Sequence, residues 1–405
     1  MTKVSKLFAS ARLLAVLTFS VPVPRLSGQT EQQPEKADNA ALHQALVDLT
    51  NPWTVMCVAA HPDDEDGSTL TVLRRKYGVH TVSLFSTFGE GGQNAVGPEL
   101  YEDLGVIRAR ETIAASEVQG SEPYFLGFRD FGFSKSAEET FRAWGEKELL
   151  RRMVLYIRRL RPDVIITNHD TTSGHGHHQA TGRMILEAFF EAADATKFPE
   201  QLNQVSVWQV KRLFVRNRGQ DPSAGKEGPP QIVTIDQNEM DPVRGVTYAQ
   251  QALSALHKHA TQGPWPKTVP AGGARPIRYA LVKTVPTAPP LPADAKTPFD
   301  GFTLPEAESA RLVAPTIETK PLTQYLDRRL EVLVSLLSAK RRGAFTGPKD
   351  VVDADPQRVK LMSQRLDNAL AVAAGASLAL SSPGSALVPG EPARLNAILT
   401  NGGRG

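Results

Sequence analysis

Two apolar runs in the first half of the chain end abruptly in clusters of polar residues. One run, residues 55–60, leads into the sequence HPDDE at 61–65, and the other, residues 162–167, leads into a histidine-rich stretch at 169–178. Short apolar runs of this kind are typical of buried strands. Because the carboxyl ends of parallel strands meet at one edge of a sheet, the pattern predicts that the two polar clusters lie close together.

Strand and helix patterns alternate from residue 55 to about residue 284. This alternation predicts an α/β fold with a Rossmann-like, mainly parallel sheet flanked by helices. The periodicity predicts further strands over 80–88, 123–128, 208–216 and 232–235, and helices over 40–49, 68–77, 102–119, 138–161, 178–195 and 244–261.

The chain is long enough for more than one domain, since a single core seldom grows past about 300 residues. A Pro-rich stretch follows the α/β region and is expected to be a stiff linker or a surface wrap. Beyond it, 322–342 and 355–374 predict a helical hairpin, and 376–381 and 393–400 alternate like strands. The predicted division is a signal peptide at 1–28, a polar linker at 29–39, the α/β domain at 40–285, the Pro-rich linker at 286–305, a helical region at 306–375 and a partial β region at 376–405. We interpret the partial β region as the start of a truncated β-sandwich in a longer protein.

The N-terminal segment has the pattern of a secretory signal. Three basic residues, Lys3, Lys6 and Arg12, precede an apolar run at 13–23 that is too short to span a bilayer. We therefore expect export to the periplasm or the medium after cleavage near Gly28, with no membrane span in the mature chain; retention as an anchor is the alternative. Losing four basic residues changes the balance from 46 basic against 43 acidic residues to 42 against 43. This near-neutral charge gives no support for nucleic-acid binding.

The HPDDE cluster has the residue types of a zinc site. His61 and Asp64, three residues apart across a proline-stiffened turn, can face one point, and zinc accepts imidazole and carboxylate ligands together. Asp63 between them would then be free to take a proton from an attacking water. A solvated turn or a helix N-cap is the alternative. The second cluster, which holds four of the nine histidines within ten residues, favours a three-ligand zinc site.

The sequence AHPDDE at 60–65 resembles the signature of the LmbE-like or PIG-L family of zinc-dependent N-acetylglucosamine deacetylases. The family's second motif, HPDH, is matched by HGHH at 175–178. The resemblance implies that the zinc ligands are His61, Asp64 and His178. It also implies that Asp63 is the general base and that His175 is an imidazolium that stabilises the oxyanion or protonates the leaving amine.

The chain departs from the family pattern at His177, where the family often has an acid beside the catalytic histidine. An orienting carboxylate fixes the tautomer of an imidazole and raises its basicity. We therefore hypothesise that Asp170 takes over this orienting role. A register in which His177 binds the metal in place of His178 is left open by the sequence.

Candidate substrate-binding residues follow the other strands. A glycine-rich loop, GEGG at 89–92, and an R-x-x-E pair on the next helix both match the family, where they lie near substrate. In the loop GFRDFGFS at 127–134, an acid is available for a sugar hydroxyl, and two phenylalanines are equally suited to stacking on a sugar or to packing the loop. The predicted substrate-binding residues are Glu90, Gln93, Asn94, Arg108 and Asp130. The stretch HATQ at 259–262 matches a further family pattern.

These observations predict a secreted, zinc-dependent hydrolase that removes an acyl group, most simply acetyl, from an N-acylated amino sugar or glycoconjugate. The N-acetyl sugar follows from the resemblance alone. An amidase acting on another N-acyl conjugate and a non-catalytic carbohydrate-binding protein are the alternatives. The sequence carries no signal for the oligomeric state.

Overall fold

The computed structural model describes residues 34–219, 231–304, 321–345, 355–381 and 396–401. Seven strands form one sheet in the order β3-β2-β1-β4-β5-β7-β6. The first five run parallel, and β7 is antiparallel to both β5 and β6. The strands are β1 (Thr54–Ala59), β2 (His80–Thr87), β3 (Ser121–Phe128), β4 (Val164–Thr167), β5 (Arg212–Arg216), β6 (Ile232–Ile235) and β7 (Ile277–Thr284).

The strand order changes direction at β1. The chain adds β2 and β3 on one side of β1 and then crosses to add β4 on the other side. At such a switch point, the loops that leave the two neighbouring strands diverge and open a crevice at their carboxyl ends. The predicted α/β architecture is confirmed, and both polar clusters leave the sheet at this crevice.

Helices cover both faces of the sheet. Along β1, Met56 and Val58 face one hydrophobic core, whereas Val55 and Cys57 face the other, as the two-residue period of a strand requires. Every residue of β1 is buried, so the strand holds the HPDDE cluster that follows it in a fixed position. The helices of this region are α1 (Pro34–Asp48), α2 (Gly67–Arg75), α3 (Tyr101–Gln119), α4 (Ala137–Trp144), α5 (Glu146–Leu160), α6 (Gly176–Glu191) and α7 (Tyr248–Leu256), with short 3₁₀ helices at Pro199–Asn203 and Ala260–Gln262.

The long helix predicted over 138–161 is two helices. Gly145 ends α4 and begins α5 with φ 77° and ψ 108°, a conformation that favours glycine. The apolar stripe of α5 continues the pattern of α4 closely enough to hide this break. The break lets Trp144, the last residue of α4, turn toward the histidine cluster. The helix predicted over 244–261 is likewise shorter, since α7 ends at Leu256.

The segment predicted as a linker at 29–39 is helical from Pro34 onward, so that prediction is wrong for its described residues. Helix α1 packs against the C-terminal helix α9 (Pro356–Ala373) and against a 3₁₀ turn at Leu322–Tyr325. Helix α8 (Arg329–Arg341) packs against α9, and these two helices form the predicted hairpin. Together with α1, they enclose a third core containing Leu42, Leu46, Leu336 and Leu366. The helical region therefore shares a core with the residues that precede β1.

The Pro-rich stretch after β7 wraps the domain. Leu291 and Phe299 are buried in the same core as β1. The guanidinium of Arg212 donates hydrogen bonds to the carbonyl oxygens of Pro289, Pro298 and Asp300. Of the two predictions for this stretch, the surface wrap describes it.

The chain's last described elements are β8 (Ala376–Ser381) and β9 (Asn396–Asn401), which pair antiparallel. Their side chains are largely exposed, including Leu378, Ile398 and Leu399. The β-sandwich stays a prediction, and the predicted signal peptide lies outside the described residues. Among the described helices, none is both long and apolar enough to cross a membrane.

Candidate active site

The two polar clusters meet at one carboxylate. Asp64 Oδ2 lies 2.9 Å from His61 Nδ1 and 3.2 Å from His178 Nε2, and it also accepts the backbone N–H of His61 at 3.0 Å. His61 and Asp64 come from the turn after β1, whereas His178 lies in the first turn of α6, which follows β4. The structure thus brings together the three residues expected to bind zinc.

The donor set fits a zinc ion. The ligand atoms of His61, Asp64 and His178 all lie within 4.8 Å of one another, and two imidazoles with one carboxylate leave a tetrahedral ion an open position. Burial alone would raise the pKa of Asp64, but hydrogen bonds from His178 and His61 hold it well below its usual value. The carboxylate is therefore charged and suited to a cation.

A second group of potential ligands shares one member with the first. His61, His175 and His177 also have ligand atoms within 4.8 Å of one another. The two ring nitrogens of His61 serve different neighbours, because Nδ1 faces Asp64 while Nε2 lies 3.0 Å from His177 Nδ1. The alternative register, with His177 as a ligand, thus involves the opposite side of the His61 ring.

Asp63 has an unusual backbone and an unusual charge environment. Its φ of 84° is rare for a residue with a side chain, and such strain often accompanies function. Its N–H donates to Glu65 Oε2 at 2.9 Å. Burial, followed by the negative charges of Asp64 and Glu65, raises the pKa of Asp63 to about 9. A carboxylate with so high a pKa is a strong acceptor for a proton.

His175 caps α6 with its side chain. Its Nδ1 accepts the backbone N–H of His177 at 3.4 Å, which leaves Nε2 to carry the proton of the neutral ring. Its ring centroid lies 4.2 Å from that of His178 and 5.2 Å from that of His61. Burial and these neighbours lower the pKa of His175 to about 4. The surroundings therefore favour a neutral imidazole with a free N–H, in place of the expected imidazolium.

His177 is fully buried among aromatic rings. It stacks on Trp144 at 4.6 Å between centroids, and Phe131 meets it edge to face at 4.4 Å. The carboxylate of Asp130 lies 3.7 Å from its Nδ1 and 3.8 Å from His61 Nε2. Burial, followed by the nearby His61 and other imidazoles, lowers the pKa of His177 to about 2, so its ring is neutral.

Asp170 does not orient an imidazole, and that hypothesis is wrong. Its Oδ1 accepts the N–H groups of Thr172 and Ser173 at 2.7 and 2.6 Å, and its Oδ2 accepts the Ser173 hydroxyl at 2.5 Å. Both oxygens therefore close the turn that follows β4. Asp130 is a carboxylate that does lie near the imidazoles, beside His61 and His177.

The glycine-rich loop is braced by its own polar side chains. Glu90 accepts the N–H of Phe88 at 3.1 Å and that of Asp130 at 2.9 Å, which joins the loops after β2 and β3. A Cβ at Gly91 would lie 2.3 Å from Asp130 Oδ1, so only glycine fits there. Asn94 uses both ends of its amide within residues 94–99. Glu90 and Asn94 thus shape the loop, whereas Gln93 is exposed; their substrate contacts stay predictions.

Arg108 is buried and bonded to protein on three sides. It donates to the carbonyl oxygens of Gly89 and Gln93 and, at 3.2 Å, to the hydroxyl of Thr261. Glu111 accepts the hydroxyl and the N–H of the same threonine at 2.7 and 2.9 Å. The R-x-x-E pair therefore holds the HATQ segment against the glycine-rich loop, and a substrate contact by Arg108 stays a prediction.

Comparison with known proteins identifies the family to which this chain belongs. The PIG-L family, described as GlcNAc-PI de-N-acetylase, matches residues 56–189, which include both polar clusters. A 1D-myo-inositol 2-acetamido-2-deoxy-alpha-D-glucopyranoside deacetylase of Saccharopolyspora erythraea is 31% identical over 231 residues, 51% of this chain and 82% of the relative. The chain belongs to the PIG-L family.

The chain is also similar to an amidase and to a deacetylase of solved structure. A mycothiol S-conjugate amidase of Streptomyces coelicolor is 30% identical over 38% of this chain, and the match spans 57% of that protein. Among solved structures, N,N'-diacetylchitobiose deacetylase from Pyrococcus horikoshii matches 58% of this chain and 82% of its own, with 21% identity and a TM-score of 0.41.

Two residues that support this PIG-L site through hydrogen bonds, His169 and Glu65, were not predicted to do so. His169 accepts the backbone N–H of Ala60 at 2.9 Å and stacks on His178 at 4.4 Å, so it ties the end of β1 to the metal-ligand cluster. Its place directly after β4 was the available signal. Glu65 accepts from His259 Nε2 at 3.1 Å and from Gln119 at 3.0 Å, which anchors HATQ beneath the HPDDE turn.

Proposed function

We propose that this protein is a zinc-dependent hydrolase that removes an acetyl group from the nitrogen of an amino sugar or glycoconjugate. The observation that carries the proposal is the shared carboxylate, since Asp64 Oδ2 lies within 3.2 Å of two imidazole nitrogens from separate strand ends. Asp63, with its high pKa, lies one residue away. Membership in a family of de-N-acetylases supports the same reaction.

His61, Asp64 and His178 would hold the zinc ion. When bound, zinc supplies a Lewis acid that polarises the substrate's amide carbonyl and makes water more acidic. The positive charge would also lower the pKa of Asp63 from its value of about 9, which favours the carboxylate that acts as base.

The remaining chemistry belongs to Asp63 and His175. Asp63 takes one proton from the attacking water as the water oxygen bonds to the carbonyl carbon. The Nε2–H of the neutral His175 ring donates a hydrogen bond to the oxyanion that forms. The C–N bond then breaks, the nitrogen receives the proton held by Asp63, and the products are a free amine and acetic acid, which ionises to acetate.

The surroundings of the site suit a sugar. Phe133 is 80% exposed, and its ring centroid lies 5.5 Å from that of His175, so it offers a free aromatic face beside the reacting groups. Phe131, by contrast, packs on His177 and Trp144. A relative of Kineococcus radiotolerans, 27% identical over 54% of this chain, also carries the name of an acetamido-glucopyranoside deacetylase.

A second candidate is hydrolysis of a bulkier N-acyl conjugate, because the Streptomyces coelicolor relative is named an amidase. The residues that act on the amide would be the same. The two candidates differ in what surrounds the scissile bond, so a substrate panel separates them.

We also propose that the protein is exported. The support is the basic and apolar pattern of residues 1–23, as in a secretory signal. Fusing residues 1–39 to a reporter that is active only outside the cytoplasm tests this proposal. A reporter that stays inactive, while the same fusion to a known signal is active, would contradict it.

The decisive experiment measures metal content together with acetate release. Purified protein should hold about one zinc per chain and release acetate from N-acetylglucosamine compounds, and chelation should abolish this release. Asp63→Asn should lower the rate by roughly 10²–10⁴-fold while zinc stays bound, since only the proton acceptor is lost. Zinc with release from bulkier N-acyl substrates alone would favour the amidase. Sugar binding without any hydrolysis would favour the carbohydrate-binding protein.

A further inference from the structure

We infer that His177 is a positioning residue that accepts a hydrogen bond from His61 Nε2 and thereby fixes the tautomer in which His61 presents its Nδ1 lone pair to the metal. The inference rests on the proposed zinc function. It concerns a residue outside the ligand set of His61, Asp64 and His178, and it gives His177 a task that no carboxylate in the described site performs.

The two ring nitrogens of His61 have different neighbours. Nδ1 lies 2.9 Å from Asp64 Oδ2 and so belongs to the ligand group, while Nε2 lies 3.0 Å from His177 Nδ1. A neutral imidazole carries one proton, and a nitrogen that binds metal cannot hold it. When Nδ1 is the ligand, the proton is therefore on Nε2, which requires an acceptor.

Two side chains lie near His61 Nε2 and could accept its proton. Asp130 Oδ2 lies 3.8 Å from His61 Nε2, beyond hydrogen-bond distance, whereas His177 Nδ1 lies at 3.0 Å. The shorter contact identifies His177 as the partner. Outer partners of this kind orient metal-binding histidines in many proteins, although carboxylates and backbone carbonyls are the usual acceptors.

The proton on His177 follows from the same contact. Its Nδ1 lies 3.0 Å from the Nε2–H of His61 and therefore accepts, so the one proton of the neutral His177 ring is on Nε2. The side chain is completely buried, and Nε2 has no hydrogen-bond partner in the part of the chain that the structure describes. The ring packs against Trp144 and Phe131, which hold it in place.

The backbone holds His177 in this position. It is the second residue of α6, and the preceding Gly176 lies so close to the loop before α4 that a Cβ would be 2.1 Å from Ser136 O and 2.2 Å from Ser134 Oγ. The Gly176 N–H donates to Ser134 O at 2.7 Å. The start of α6 is thus seated against a fixed loop, and the imidazole is oriented before any metal binds.

The test compares three substitutions of His177 in the full chain. Asn places its amide oxygen near the position of Nδ1, Gln places its amide oxygen near that of Nε2, and Leu has no acceptor. Each protein is stripped of metal, and its zinc Kd is measured by competition with a chromophoric chelator. We expect H177L and H177Q to bind zinc about 10–100-fold more weakly than wild type, and H177N to keep most of the affinity.

Two further measurements separate positioning from packing. Phe131→Leu removes an aromatic neighbour of His177 but keeps the hydrogen bond, so its zinc Kd should stay close to that of wild type. Cobalt substitution should give the same visible spectrum in wild type and H177N, and an altered one in H177Q. Because H177N and H177Q differ only in where the amide lies, the pair decides the question even if H177L does not fold.

Each other outcome overturns the inference. Equal zinc affinity in H177N and H177Q would remove the role of the Nδ1 acceptor while leaving the proposed function intact. A second zinc per wild-type chain that is lost in all three variants would make His177 a ligand, together with His61 and His175. Wild-type protein that takes up no zinc would end the proposed function, and with it the basis for the inference.

Discussion

Asp64 and Asp163 are largely buried carboxylates beside the same two strands, β1 and β4, but at opposite edges of the sheet. Asp163 accepts the N–H of Thr54 at 3.0 Å, the guanidinium of Arg358 at 3.0 and 3.1 Å, and Lys211 Nζ at 3.0 Å. Its charge is balanced by cations of the chain itself. Asp64 is instead surrounded by imidazoles, and with His61 and His178 it forms the group that we propose to hold zinc.

The difference separates a structural carboxylate from the one that we propose to bind the metal. A buried charge needs a partner, and an arginine provides it permanently while holding two segments together. Arg358 belongs to α9, so Asp163 ties the C-terminal helices to the amino edge of the sheet. Imidazoles lie on both sides of Asp64, and a cation that binds among them can leave and be replaced. Burial alone therefore does not indicate a catalytic site; the chemistry of the neighbours does.

The largest expected effect comes from Asp64→Asn. The amide has no charge, which leaves two imidazoles as the ligand set, so zinc should be lost on dialysis and acetate release should fall to background. The metal-free protein should lose less stability than Asp163→Asn does, because the asparagine oxygen can still accept the His61 N–H and no arginine loses a contact. Zinc retention at one ion per chain in this variant would break the contrast between the two carboxylates.

The next effect is at the opposite edge. Asp163→Asn removes the charged carboxylate that Arg358 and Lys211 contact, and removing one partner of a buried pair costs about 3–5 kcal/mol. The free energy of unfolding, measured by urea denaturation, should fall by that amount, while the zinc Kd of the folded protein stays unchanged. As a control, Arg358→Met combined with Asp163→Asn should cost less than the two single changes added together. Strict additivity would mean that the pair does not couple.

A smaller effect appears in the dependence of stability on pH. Burial alone would raise the pKa of Asp163, but the charges of Arg358 and Lys211 and their hydrogen bonds lower it. A depressed pKa in the folded state gives stability that is fully present above the unfolded value of about 3.9 and is lost as pH falls through the folded value. The urea midpoint of wild type should therefore fall more steeply below pH 4 than that of Asp163→Asn. Parallel curves would contradict this assignment.

The sequence predicted much of the Asp64 edge because local signals coincide there. Apolar runs ending in HPDDE and in the histidine cluster specify both the strands and the polar groups that follow them, and parallel strands bring their ends together. The closeness of His61, Asp64 and His178 therefore followed from spacing and resemblance. For Arg108 the sequence indicated a substrate contact, which stays a prediction, but gave no sign of its three hydrogen bonds to backbone and hydroxyl oxygens of neighbouring loops.

The Asp163 edge was not predicted, because its contacts span long distances in sequence. Arg358 lies 195 residues from Asp163, and Arg365 donates to the carbonyl oxygen of Asp48 from 317 residues away. No periodicity encodes such pairs. The strand β7 was also missed, and the break at Gly145 was hidden by a continuous apolar stripe. In each case, tertiary packing decided between local structures that the sequence allowed equally.

Asp170→Asn should have the smallest effect, and it adds a third carboxylate to the comparison of Asp64 with Asp163. Asp170 is close to the histidine cluster in sequence, yet it accepts hydrogen bonds from Thr172 and Ser173 and has neither the imidazoles of Asp64 nor the arginine of Asp163. An asparagine side chain can close the same turn with its amide oxygen. We therefore expect kcat/KM for acetate release to change less than about twofold and the free energy of unfolding to change by less than about 1 kcal/mol. A large loss of kcat with unchanged zinc content would instead return Asp170 to the catalytic machinery, since a turn residue on its own would alter stability before it altered the rate.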